Sequence, residues 1–125
     1  MLTVKPIQSK LEQEELCSLC SATYNFNSFA YRADDEGFIG ICQFRFDKGV
    51  GIIEALKYAP NIEDWEAMII MLRTAMNFMF RCGIEVSVFE TDSACEDLIK
   101  RSGYKINSDG TYEIDIKKFY TSSCH

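Results

Sequence analysis

The sequence predicts an α/β fold of the mixed α+β kind: a mostly antiparallel mixed sheet of about six or seven strands with helices on both faces. Three observations carry this. Phe29 to Ala59 reads as three period-two strands joined by turns too short for crossovers, so neighbouring strands pair antiparallel. Met68 to Phe80 carries an apolar stripe at helical spacing, which needs a sheet to cover it. That helix links strand to strand, and such a crossover lies on a sheet face.

The elements follow in order. Thr3 to Ile7 is a short strand. Ser9 and Glu12 form a capping box, so a helix starts near Lys10 and reaches Leu19 or Cys20. Asn25 and Asn27 punctuate the next loop. Phe29, Tyr31 and Ala33 alternate with Ser28, Ala30 and Arg32. Asp34 to Gly37 is a hairpin turn, and Phe38 to Phe46 is the returning strand. Asp47 to Gly49 turns the chain again into Val50 to Ala59.

Asn61 and Asp64 are alternative caps for the central helix. Its apolar face holds Trp65, Met68, Ile69, Leu72, Met76, Met79 and Phe80. Glu66, Arg73, Asn77 and Arg81 mark the other face, and Gly83 ends it. Ile84, Val86 and Val88 form a strand. Ser93 and Glu96 make a second capping box for a helix that stops at Gly103. Tyr104 to Ile106 and the half-buried run of Tyr112, Ile114 and Ile116 flank a turn at Asn107 to Gly110. The expected organisation is one domain over 1–125, with 117–125 as a C-terminal tail.

Net charge is −6, which disfavours nucleic acid and anionic membrane as partners. The longest helical apolar run contains Arg73 and Asn77, so no membrane span is expected. MLTVKPIQSK has no apolar h-region, and a cytoplasmic location is the expectation. The six cysteines read as reduced thiols. Cys17 and Cys20 form a C-x-x-C without a second pair, and the one histidine is His125. Partial burial on one helix is favoured for that pair over redox or metal chemistry, and no metal is expected.

Three stretches carry a family resemblance. DLIKRSGYKINSDGTYEIDI, Asp97 to Ile116, is a helix, a glycine turn at Ser102-Gly103-Tyr104 and a hairpin. FIGICQFRFDKGVGIIEALKYAP, Phe38 to Pro60, is a meander. Its end, Leu56 to Pro60, is similar to an L-x-V-x-P strand terminus. Together with the order of elements from Thr3 to Ile116, these resemble the GCN5-related N-acetyltransferase (GNAT) family. The usual second helix is truncated. The resemblance implies transfer of an acetyl group from acetyl-CoA, or another acyl-CoA, to a small-molecule or peptide amine. It places the pantetheine arm between Val50–Ala59 and Ile84–Glu90, with backbone groups of Lys57, Tyr58 and Ala59 pairing to it. It places Asp92 at the position of a frequent asparagine, where Asp92 also reads as a helix cap. Glu54, the only acid in its strand, is the candidate general base. Period two sets it beside Ile52, Leu56 and Tyr58, solvated or paired with Lys57 or Arg45 as the alternatives.

The sequence departs from the family at the pyrophosphate position. Glu63-Asp64-Trp65-Glu66-Ala67-Met68 stands where a basic residue and two glycines are usual. Side chains there obstruct phosphate, and the acids repel it. A helix that caps itself explains the same acids. Ile99 stands where a tyrosine often protonates the thiolate. Two readings stay open at the sequence: a divergent N-acyltransferase working by direct attack, or a degenerate binding or regulatory module of the same fold. Edge strands and exposed aromatics are compatible with a homodimer.

Overall fold

Hairpin chemistry organises the first half of the chain. In a computed structural model describing residues 1–122, β2 (Phe29–Asp34), β3 (Phe38–Asp47) and β4 (Val50–Tyr58) form an antiparallel meander. Lys48 and Gly49, at φ 52° and 81°, turn β3 into β4. Two successive positive-φ residues match the right-handed twist of the strands they join. β1 (Thr3–Pro6) pairs antiparallel with β2.

β4 pairs parallel with β5 (Val86–Phe89), which is followed by β7 (Tyr112–Asp115) and the two-residue β6 (Lys105–Ile106). The seven strands lie in the order β1-β2-β3-β4-β5-β7-β6. The single parallel pair needs a crossover, and α2 (Trp65–Arg81) supplies it.

Asp64 caps α2, and Gly83 at φ 84° ends it; the amide of Ile84 donates to Met79 O. The buried stripe is Met68, Met71, Leu72, Ala75, Met76 and Met79, packed on Phe44, Ile53 and Leu56. It is rotated from the expected one: Trp65 and Phe80 are exposed. Close approach is allowed by two glycines on the sheet. A Cβ on Gly51 would sit 2.5 Å from Met79 Sδ, and one on Gly40 2.8 Å from Met68 Sδ.

α1 (Lys10–Leu19) covers the other face through Cys17, with Ile41, Ala30 and Ile7. Ser9 caps it as expected, accepting from Glu12 N at 3.2 Å. No helix lies between α1 and β2, and the loop carrying Thr23, Asn25 and Ser28 covers the sheet beside α1 instead. The second capping box does not form. α3 (Glu96–Arg101) starts after Cys95, and the Ser93 hydroxyl donates to Glu90 O instead. Part of the expected tail is α4 (Ile116–Ser122), whose Tyr120 ring packs on Phe80 at 4.9 Å. His125 lies outside the described residues. None of the described helices is long and apolar enough to cross a membrane.

Candidate functional site

One extra residue in β4 builds the site. Gln43 faces Ala55 and Phe44 faces Ile53, so Glu54 is a β-bulge. A bulge bends its strand and strengthens the twist. The β4–β5 ladder accordingly stops at Ile53, one residue earlier. The bulge also breaks the expected alternation. Leu56 joins Ile53 in the core under α2, while Glu54 turns towards Gln43 and Arg45.

The Glu54 carboxylate is filled. It accepts from Asn25 Nδ2 at 2.9 Å, Ser28 Oγ at 2.5 Å, Gln43 Nε2 at 3.1 Å and Arg45 Nη1 at 2.6 Å. A carboxylate offers about four lone-pair sites, so these donors use its capacity. Its side chain is 9% exposed. The same Arg45 Nη1 reaches Glu90 at 3.0 Å. Behind this lies a buried amide relay. Gln13 Nε2 donates to Gln43 Oε1 at 2.9 Å, and Gln43 Nε2 donates to Thr23 O at 2.9 Å. Cys17 Sγ also lies 3.3 Å from Gln43 Oε1. Of the pairings expected for Glu54, the one with Arg45 is present.

Beyond the bulge the gap is bridged again. Glu90 to Ser93 loop out, with Asp92 at φ 61°, and Leu56 N then donates to Ser93 O at 2.7 Å. Leu56 and Ala94 form an isolated parallel bridge. Asp92 therefore sits in this turn and does not cap α3.

Two cavities flank the bridge. The larger, about 580 Å³, is lined by Tyr24, Asn25, Phe26, Glu54, Glu90 and Asp92 among others. The smaller, about 220 Å³, is lined by Leu56, Tyr58, Ala94, Cys95 and Leu98. Lys57 and Asp92 line both. Of the sequence candidates, Glu54, Lys57 and Asp92 thus meet in one cavity, and Lys57, Tyr58 and Asp92 in the other. Ala59 lines neither: its amide donates to Ile39 O on the opposite side of the strand. Strand alternation turns Lys57's backbone the same way and leaves Tyr58's directed at the smaller cavity.

The start of α2 is self-capped. Asp64 Oδ1 accepts from Ala67 N at 3.2 Å. Burial pushes the Tyr58 hydroxyl above its ordinary range, partly offset by a backbone hydrogen bond from Asp64. Glu63 and Glu66 are exposed beside it. We expect Asp64→Ala to cost about 1 kcal/mol, read from the denaturation midpoint.

Ile99 is half-buried against the core. Cys17 and Cys20 are buried free thiols, and burial pushes both up to about 11. That is the reverse of a reactive pair.

The sequence reading did not single out Gln13, Ser28, Gln43 and Glu90, and it took Asn25 as loop punctuation. One signal was available: Gln43 and Arg45 share a strand face with buried Ile41, and polar groups on a covered face need partners.

No protein-family model matches the sequence, and no curated protein matches it. Solved structures do match. A spermidine N-acetyltransferase from Vibrio cholerae aligns with TM-score 0.71 at 12% identity, covering 98% of each chain. A probable acetyltransferase of the GNAT family from Chromobacterium violaceum aligns with TM-score 0.64 at 9% identity, covering 96% of this chain and 85% of that one. An N-acetyltransferase from Thermoplasma acidophilum, in complex with coenzyme A, aligns with TM-score 0.65 at 11% identity, covering 90% of this chain and 99% of that one. With its mixed seven-stranded sheet, bulged fourth strand and crossover helix, the chain has the fold of the GCN5-related N-acetyltransferases.

Proposed function

We propose that the chain is an N-acyltransferase that moves an acyl group, acetyl in the simplest case, from a thioester to an amine. The observation that carries this is the pair of cavities meeting at Lys57 and Asp92. The smaller cavity has apolar walls from Leu56, Ala94 and Leu98, and suits a thioester arm running along β4. Tyr58's backbone is the partner available there for an arm amide, because Leu56 N is bonded to Ser93. The larger cavity holds Glu90 and Asp92 beside Tyr24 and Phe26, which suits an ammonium group against acids and aromatic faces.

In the reaction the neutral amine nitrogen attacks the thioester carbonyl carbon. A C–N bond forms and the C–S bond breaks, the electron pair leaving with sulfur. The amine's surplus proton ends on the thiolate, giving amide and thiol. Glu90, half-exposed in the cavity, is our candidate to take that proton first. Glu54 fits an anchor better than a base, since its lone pairs are filled. With Ile99 in place of a phenol, proximity carries the chemistry, and the proton taken by Glu90 passes through water to the thiolate.

Calorimetry tests this. Acetyl-CoA or S-acetyl-pantetheine should bind with heat at concentrations of about 1 mM, and amide product should form with a primary amine, detected by mass. Absence of binding by both thioesters would remove the proposal.

The Leu56–Ser93 bond and the acids at α2 favour a second reading, a binding module of the same fold without catalysis. Protein-dependent amide formation excludes it. A cytoplasmic setting and self-association through half-exposed aromatics such as Phe29 and Phe78 belong to both readings.

A further inference from the structure

We propose that the acyl donor is a thioester on a short pantetheine-like arm that brings no diphosphate to α2. This rests on the acyltransfer reading and names its donor. Tyr58 ties the smaller cavity to the start of α2: the residue lines the cavity, and its hydroxyl meets the Asp64 backbone. An arm leaving that cavity past Tyr58 therefore arrives at the α2 N-terminus. There it finds negative charge, and the amides of Ala67 and Met68 are already bonded to Asp64. Glu63 and Asp97 lie near enough to act on the Tyr58 hydroxyl, in the direction of keeping its proton. Asp64 uses its side chain on Ala67 N. No glycine stands between Pro60 and Met68 to let backbone approach an anion.

The two cations of α3 are committed elsewhere. Arg101 holds Asp97 through contacts at 3.1 and 3.2 Å and lies 4.1 Å from the Trp65 ring centre. Lys100 pairs with Glu96 at 3.1 Å. A diphosphate here would face acids with neither α3 cation free to compensate, and even screened by salt that costs on the order of tenfold or more in affinity. The arm itself meets no such obstacle. It is uncharged, and the smaller cavity presents Tyr58's backbone and apolar walls to it.

The test compares donors on the whole protein by calorimetry. S-acetyl-pantetheine should bind at least as tightly as acetyl-CoA. The variant E63Q/E66Q, altered only at exposed positions, should bind acetyl-CoA about tenfold more tightly and S-acetyl-pantetheine unchanged. Acetyl-CoA binding more than tenfold tighter than S-acetyl-pantetheine to the unaltered protein would overturn the proposal. So would a variant that leaves the ratio of the two unmoved. If neither thioester binds, the acyltransfer reading fails first and this one with it. A carrier protein bearing an S-acetyl-phosphopantetheine arm separates the two sources of such a donor. Tighter binding than the free arm supports a protein-borne donor, and equal binding supports a small free thioester.

Discussion

Replacing Glu54 with leucine is expected to cost about 3 kcal/mol of folding stability, with little change in the denaturant slope. The carboxylate is the acceptor for Asn25, Ser28, Gln43 and Arg45. Removing it strands four donors, some of them buried, and each unsatisfied group costs about 1–3 kcal/mol before relaxation. Arg45 limits the loss, because it is partly exposed and can turn fully to Glu90. Glutamine should not rescue the site. Its amide nitrogen would face at least one of the same donors, so Glu54→Gln should remain destabilised by about 1–2 kcal/mol. This outcome separates an anchor from a base. If Glu54→Gln kept full stability but lost turnover, the carboxylate would be acting on substrate instead.

The second large effect is alkaline. Burial pushes the thiols of Cys17 and Cys20 to about 11 and that of Cys42 to about 12, from an ordinary value of 9.0. As pH rises past 9, the unfolded chain releases these protons while the folded chain keeps them. Stability is therefore complete below pH 9 and falls between pH 9 and 12. Each tenfold difference in ionisation is worth about 1.4 kcal/mol, so the three thiols together place several kcal/mol at stake, comparable to a small domain's whole stability. Far-ultraviolet circular dichroism under reductant should show unfolding in that window. Cys42→Ala should move the alkaline midpoint upward even though it lowers stability at pH 7. A melting temperature that stays level from pH 8 to 12 would contradict this.

The legible parts of the fold were local. The Ser9 cap, the Lys48-Gly49 turn and the Met stripe of α2 each depend on residues a few positions apart. Their order was enough to specify the sheet. The second capping box shows the limit of such patterns. Ser93 and Glu96 have the right spacing, but Ser93 O is bonded to Leu56 across the sheet, and its hydroxyl turns back to Glu90. A long-range bond outweighed a local preference worth about 1 kcal/mol.

The candidate site was legible in outline only. Asp92, Lys57 and Glu54 do converge, because they flank the end of one parallel ladder. The donors around Glu54 come from positions 25, 28, 43 and 45, and nothing in sequence spacing pairs them. The role of Asp64 was visible as a cap, while its link to Tyr58 runs through the turn after β4, where Asn61 takes φ 63°.

The bulge in β4 has a consequence for which side chains meet the solvent and which meet the core. A strand is read in steps of two, and Glu54 is a one-residue insertion into that reading frame. Before it, odd positions such as Gly51 and Ile53 lie under α2; after it, Leu56 does. If the strand kept Glu54 but ran in strict steps of two, with no bulge to absorb it, every residue after it would fall out of phase. Lys57 would then be driven at the methionines of α2, and Leu56 would be turned out. The cavity walls thus depend on the count of residues in β4 before they depend on the identity of any one of them.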